Sequence, residues 1–158
     1  MEGFDLVDWG ARFIKTGRTL QELYIILDRL MHRLVKEKQP HVLVMERNNF
    51  SVASHNARLA AITNRIRTLA RKHGIKLVEY GPRTIRKVVC GDGNASKSEI
   101  ARTVAMRHPE LKLYLKSDRG YKEQFFQNMF DAVACGLTWL ILNGDSTKCR
   151  GNRDRQEQ

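Results

Sequence analysis

Apolar side chains recur at helical and strand spacing along most of this chain. From Thr19 to about Lys38 they are three and four residues apart, which predicts an amphipathic helix with Thr19 as its N-cap. Pro40 closes that helix, because proline cannot continue a helical hydrogen-bond ladder. The continuous apolar run Val42-Leu-Val-Met45 that follows is typical of a short strand in a parallel sheet.

The remaining segments continue an alternation of strands and helices. Ser96 and Glu99 have the spacing of a capping box and predict the start of one of these helices. We therefore expect an α/β fold with helices on both faces of a sheet. We assign residues 1–143 to a single domain and 144–158 to a polar, disordered tail. The other predicted elements are a strand or strand pair over Phe4–Ile14, a helix over about Ser54–His73, a strand over Ile75–Glu79, a helical turn from about Arg83, and a final helix over about Glu123–Leu142.

The charge of the chain narrows its class of partner. A net charge of +11 over 158 residues favours a polyanion, above all nucleic acid, since binding phosphates releases counterions. The basic residues are spread along the chain and no apolar stretch is long enough to span a bilayer, so we expect no membrane partner. Three widely spaced cysteines and no signal peptide indicate the reducing cytoplasm.

Two carboxylates stand on predicted core elements. Glu46 ends the run of β-forming residues, where a charge is costly without a partner or a metal. Asp131 lies in the final helix, and Asn128 lies three residues before it on the same helical face. If the elements pack side by side, these oxygens form a site for Mg²⁺. The alternative is that both carboxylates are simply solvated, Asp131 being favoured by the helix dipole.

A basic, glycine-containing segment forms a second constellation, from Arg83 to Lys97. The loop Gly91-Asp-Gly93 leads towards a capped helix N-terminus, whose backbone amides can face an anion. Arg86, Lys87 and Lys97 add positive charge around the loop, which suggests contacts to phosphate. An ordinary turn without a ligand is the alternative interpretation.

Arg47 and Phe50 directly follow Glu46. An exposed aromatic side chain among polar and basic residues can stack on bases or wedge between them. Phe50 could equally fold back onto the core as a small lid.

Three segments together resemble the RuvC family of Holliday-junction resolvases. They are Val42–Glu46, the segment Val78–Lys97, and Phe130-Asp-Ala-Val-Ala-Cys-Gly-Leu137, in the order of the family. The resemblance covers about residues 4–142. It implies an RNase H-like mixed sheet with helices on both faces, and a homodimer that cuts four-way DNA junctions with magnesium or manganese.

The resemblance also assigns roles to particular residues. Glu46 matches the strand-end glutamate of the family and Asp131 matches the final aspartate of its last helix. Arg86 and Lys97 match basic residues that contact DNA near the scissile phosphate. Phe50 lies within one residue of the aromatic side chain that inserts into the junction.

The chain departs from the family pattern at two places. Asn128 occupies the position of an aspartate, so it can offer a carbonyl oxygen but no charge. The first catalytic aspartate of the family would precede residue 1, so we expect the N-terminal strand to be missing. Two alternatives to a resolvase therefore stay open: a catalytically inactive relative that binds junctions or other nucleic acid, and another RNase H-like nuclease.

Overall fold

The computed structural model describes residues 1, 4–11, 19–47, 54–115 and 120–148. Five helices, one 3-10 helix and two strands are formed within these ranges. In chain order they are α1 (Leu20–Lys38), β1 (Val42–Glu46), α2 (Ser54–Lys72), β2 (Lys76–Tyr80), α3 (Pro82–Cys90), α4 (Lys97–Arg107), the 3-10 helix Pro109–Tyr114 and α5 (Gly120–Lys148).

The chain divides into two compact units. One unit is Ile14–Glu79, called here the helix–strand unit. The other consists of Met1–Phe13 and Tyr80–Gln158 and is called here the helical unit.

The helix–strand unit is built on local signals that the sequence already contains. The Thr19 side chain accepts a hydrogen bond from the Glu22 amide, and the Glu22 carboxylate accepts one from the Thr19 amide. Gln39 ends α1 in the left-handed conformation, directly before Pro40. β1 and β2 form a two-stranded parallel sheet, connected by α2. The core of this unit contains Leu27, Met31, Val35, Leu43, Leu69, Ala70, Ile75 and Leu77.

An ion pair joins the two long helices of the helix–strand unit. The Arg65 Nε donates to Asp28 Oδ1 at 2.8 Å, and Arg65 Nη2 bonds the second oxygen of the same carboxylate. These hydrogen bonds hold the pKa of the Asp28 carboxyl below its ordinary value of 3.8. The pair is partly exposed, so it orients α1 against α2 more than it adds stability.

The helical unit packs α3, α4 and α5 around a separate apolar core. Val104, Leu111 and Ala134 are fully buried in it, with Ile85, Val89, Phe130 and Leu137 beside them. The N-terminal segment lies along α5. A Cβ added at Gly136 would meet Met1 Sδ at 2.9 Å, so the Met1 side chain packs directly on α5.

Two predicted elements differ from the structure. The sequence predicts a strand over Phe4–Ile14, but residues 6–11 have no regular structure and only Asp5 forms a bridge. Apolar and aromatic residues favour a strand locally, whereas a strand also needs a partner edge to pair with. The final helix extends to Lys148, beyond the predicted end at Leu142 and the predicted domain boundary at residue 143.

The predicted mixed sheet is only partly seen. The described residues form an α/β arrangement dominated by helices, with β1 and β2 as its two-stranded sheet. No helix among the described residues is long and apolar enough to cross a membrane.

Candidate functional site

Lys97 and Asp131, both predicted site residues, lie next to each other in the helical unit. The Lys97 Nζ is 4.0 Å from Asp131 Oδ2, although the two residues are 34 positions apart in the sequence. The Asp131 side chain is 25% exposed and that of Lys97 is 66% exposed. The carboxylate is therefore half-enclosed, while the ammonium group can still reach a ligand in solution.

The capping box of α4 determines where Lys97 stands. The Ser96 hydroxyl accepts a hydrogen bond from the Glu99 amide at 3.2 Å, and the Glu99 carboxylate accepts one from the Ser96 amide at 2.7 Å. Hydrogen bonds from the Ser96 side chain and backbone hold the pKa of Glu99 below its ordinary value of 4.5. The cap makes Lys97 the first residue of α4, shortly after the glycine loop Gly91-Asp-Gly93.

Asp131 has a second partner that is not among the predicted site residues. The Gln127 Nε2 donates a hydrogen bond to Asp131 Oδ1 at 2.9 Å. One carboxylate oxygen thus faces an amide and the other faces an ammonium group. A signal for this pair exists in the sequence, because residues four apart on a helix are neighbours and glutamine can bond aspartate at this spacing.

Asn128 lies one helical turn before Asp131 on α5, and its side chain is exposed. The two residues place an amide oxygen and a carboxylate on successive turns. Oxygen donors of this kind suit magnesium or manganese better than softer metals. The described residues contain no group of three or more His, Cys, Asp or Glu side chains that could hold a metal by themselves.

The glycine loop between α3 and α4 has two positions that require glycine. Gly91 has a φ of 82° and ends α3 in the left-handed conformation, its amide donating to the Lys87 carbonyl at 2.9 Å. A Cβ added at Gly93 would meet the Arg83 Cγ at 2.9 Å. The loop therefore folds tightly back on α3, and Ala95 buries its far end in the core.

The burial pattern of α3 shows how far the basic residues predicted to bind nucleic acid are exposed. Ile85 and Val89 are buried, Arg86 is partly buried, and Lys87 is exposed. Arg83 is also exposed at the start of the same helix. The structure therefore places positive charge on α3 and at the first residue of α4, before and after a glycine loop whose own charged residue is Asp92.

Glu46 and Arg47 belong to the helix–strand unit. Glu46 is the last residue of β1 and is partly buried, as its position in the sequence predicts. Arg47 is exposed, and its Nη2 donates to the Glu79 carbonyl at 3.5 Å. The predicted convergence of Glu46 with Asp131 stays a prediction, and Phe50 lies outside the described residues.

A relative from Synechococcus sp. strain RCC307, the crossover junction endodeoxyribonuclease RuvC, decides the family. The two sequences are 31% identical over 137 residues, which is 85% of this chain and 79% of the relative. This chain belongs to the RuvC family. No protein-family model matches the chain.

Two further RuvC relatives cover less of their own length. The protein from Protochlamydia amoebophila is 30% identical over 95 residues, 60% of this chain and 56% of the relative. The protein from Chloroherpeton thalassium is 32% identical over 103 residues, 63% of this chain and 54% of the relative. The chain thus spans a little over half the length of these two RuvC proteins.

The fold of this RuvC family member also matches solved structures. A Thermus thermophilus RuvC structure superposes with a TM-score of 0.66, at 18% identity, over 86% of this chain and 76% of that chain. T. thermophilus RuvC in complex with a Holliday junction substrate gives a TM-score of 0.65 at 17% identity, over 86% and 78% of the two chains. The α/β RuvC-like fold expected from the sequence is confirmed by these superpositions.

Proposed function

We propose that this RuvC family member is a metal-dependent endodeoxyribonuclease that cuts four-way DNA junctions in recombination and repair. The proposal includes Mg²⁺ or Mn²⁺ as cofactor, a homodimer as the active form, and the cytoplasm as its location. The observation that carries it is the 4.0 Å approach of Lys97 Nζ to Asp131 Oδ2, in the unit that also holds the basic helix α3. A carboxylate and a cation so placed suit a reaction at a phosphodiester.

Asp131 and Asn128 would offer side-chain oxygens to the metal, and Glu46 is the strand-end glutamate to which the RuvC pattern gives the same role. A cation held there would supply positive charge to the phosphate and would favour deprotonation of the attacking water. Asp131 suits this role because it is half-buried and its two carboxylate oxygens face different donors, Gln127 Nε2 and Lys97 Nζ. Asn128 lowers the negative charge of the donor set by one relative to the family pattern.

The basic side chains have separate tasks in this proposal. Lys97 neutralises the phosphate as negative charge develops in the transition state. Arg86 and Lys87 hold the DNA backbone near the glycine loop, and Arg47 does so next to Glu46. Phe50 would stack against an unpaired base at the crossover.

A junction-cleavage assay with Mg²⁺ tests the proposal on the full chain. We expect the wild type to cut a four-way junction, and expect Glu46→Gln and Asp131→Asn to lower the rate by at least about 100-fold, as for the loss of other electrostatic catalytic groups. Glu37→Gln is the matched control, since Glu37 is an exposed carboxylate on α1 paired with Arg33. Cleavage by Glu46→Gln at the wild-type rate would remove Glu46 from the site.

One observation favours a second candidate, a binding protein without nuclease activity. Asn128 replaces an aspartate of the family pattern and brings no charge to the metal. If the wild type binds junctions but cuts none at any Mg²⁺ or Mn²⁺ concentration, this second candidate is correct. Cleavage of other DNA or RNA structures in preference to junctions would instead indicate a different RNase H-like nuclease.

A further inference from the structure

Gln127 occupies a position from which it controls the orientation of Asp131. Its Nε2 lies 2.9 Å from Asp131 Oδ1, both side chains are partly buried, and the two residues are on adjacent turns of α5. A hydrogen bond to a carboxylate is stronger than one between neutral groups. The hydrogen bond from Gln127 therefore limits rotation of the Asp131 carboxylate about its Cβ–Cγ bond.

The orientation matters because the two oxygens of Asp131 face different surroundings. With Oδ1 held by Gln127, Oδ2 faces Lys97 at the start of α4. A carboxylate oxygen has two lone pairs, so neither contact uses up its capacity to bind a cation. A residue that donates a hydrogen bond to a metal ligand without touching the metal aligns that ligand. It also reduces the entropy lost when the metal binds.

We propose that Gln127 is a positioning residue that sets the metal affinity of the site by holding the Asp131 carboxylate. This inference rests on the proposed function only in taking Asp131 as a metal ligand. Gln127 itself does not contact the substrate or the cation. It strengthens binding because the carboxylate is already oriented before the cation arrives.

Mn²⁺ binding to the full chain, followed by the electron paramagnetic resonance signal of the free ion, tests the inference without any cleavage. We expect Gln127→Met, which keeps the length and loses the amide, to raise the dissociation constant about tenfold, as for other partners of metal ligands. Asp131→Asn should weaken binding further. Asn143→Leu is the matched control, since it removes from α5 an amide that donates to the Trp139 carbonyl at 2.9 Å.

Thermal unfolding in EDTA separates positioning from folding. Gln127→Met should unfold within a few degrees of the wild type, while the Mg²⁺ concentration for half-maximal cleavage rises and the rate at saturating metal changes little. Wild-type Mn²⁺ affinity in Gln127→Met, or equal weakening in Asn143→Leu, would overturn the inference. So would a wild type that binds no Mn²⁺.

These outcomes are separate from those of the proposed function. A wild type that binds Mn²⁺ through Gln127 and Asp131 but cuts no junction would refute the nuclease and leave the inference standing. If the wild type cuts junctions while Gln127→Met binds Mn²⁺ normally, the nuclease proposal stands and the inference about Gln127 is refuted.

Discussion

Lys97 is proposed to act in the chemistry of the site while adding little to stability. Its ammonium group is 4.0 Å from Asp131, yet two-thirds of the side chain is exposed to solvent. Exposed ion pairs contribute about 0–1 kcal/mol because water screens the attraction and ordering the side chains costs entropy. The value of Lys97 therefore lies in what it can offer to a phosphate.

Replacing Lys97 by methionine should separate its effect on cleavage from its effect on stability. We expect Lys97→Met to slow junction cleavage by about 100-fold, because the variant lacks a charge aimed at the transition state. Its unfolding midpoint in urea should stay close to that of the wild type. Lys112→Met, at an exposed position on the 3-10 helix, should leave both quantities unchanged. Equal cleavage by Lys97→Met and Lys112→Met would contradict a catalytic role for Lys97.

At the scale of elements, the turn between α3 and α4 positions the site. Gly91 ends α3, the loop packs Gly93 against Arg83, and Ser96 caps α4. Each step follows from a local requirement: a positive φ, the absence of a Cβ, and a side-chain oxygen at the N-cap. Together they place Lys97 at the first position of α4.

Gly91→Ala tests the backbone requirement alone. No atom lies within 4 Å of the added Cβ, so the expected loss of about 1 kcal/mol in unfolding free energy comes from the left-handed conformation. Gly81→Ser is the matched control, since Gly81 has a φ of −70° and open space around it, and serine is a favourable N-cap. Urea unfolding of both variants measures the difference. If the two were equally stable, the strain at Gly91 would be absent.

At the scale of the whole molecule, the net charge of +11 predicts that binding to any polyanion weakens as the salt concentration rises. Each phosphate that lysine or arginine neutralises releases counterions, so the binding constant falls linearly with salt on logarithmic axes. The same charge accelerates the encounter with any polyanion, whichever residues finally bind it.

The salt dependence identifies which basic residues touch phosphate. We expect the double variant Arg86→Ala, Lys87→Ala to reduce the magnitude of the slope by about two, because each substitution removes one side chain that neutralises a phosphate. Arg33→Ala, which removes an exposed charge paired with Glu37 on α1, should leave the slope near that of the wild type. Fluorescence anisotropy with a labelled junction between about 50 and 200 mM salt gives the slopes. An unchanged slope in the double variant would mean that other residues bind the phosphates.

The predicted elements that were confirmed are those governed by neighbours in sequence. The N-cap predicted at Thr19 and the capping box predicted at Ser96 both form, and β1 and β2 lie within a residue of the expected ranges. The expected strand over Phe4–Ile14 is not formed over residues 6–11, so a local run of apolar and aromatic residues does not by itself produce a strand. α5 continues to Lys148 through Asn143-Gly144, a pair that is typical of a helix C-terminus, so local signals do not determine where this helix ends.

The sequence by itself determined the positions of most helices and strands, the positive charge and the family resemblance, because these depend on residue type and short-range spacing. The sequence also contains the signal for the Gln127–Asp131 hydrogen bond, because the two residues lie about one helical turn apart. Only the tertiary structure brought Lys97 to Asp131 and folded the glycine loop onto α3. Contacts between distant segments depend on how apolar faces pack, and local patterns do not specify that packing.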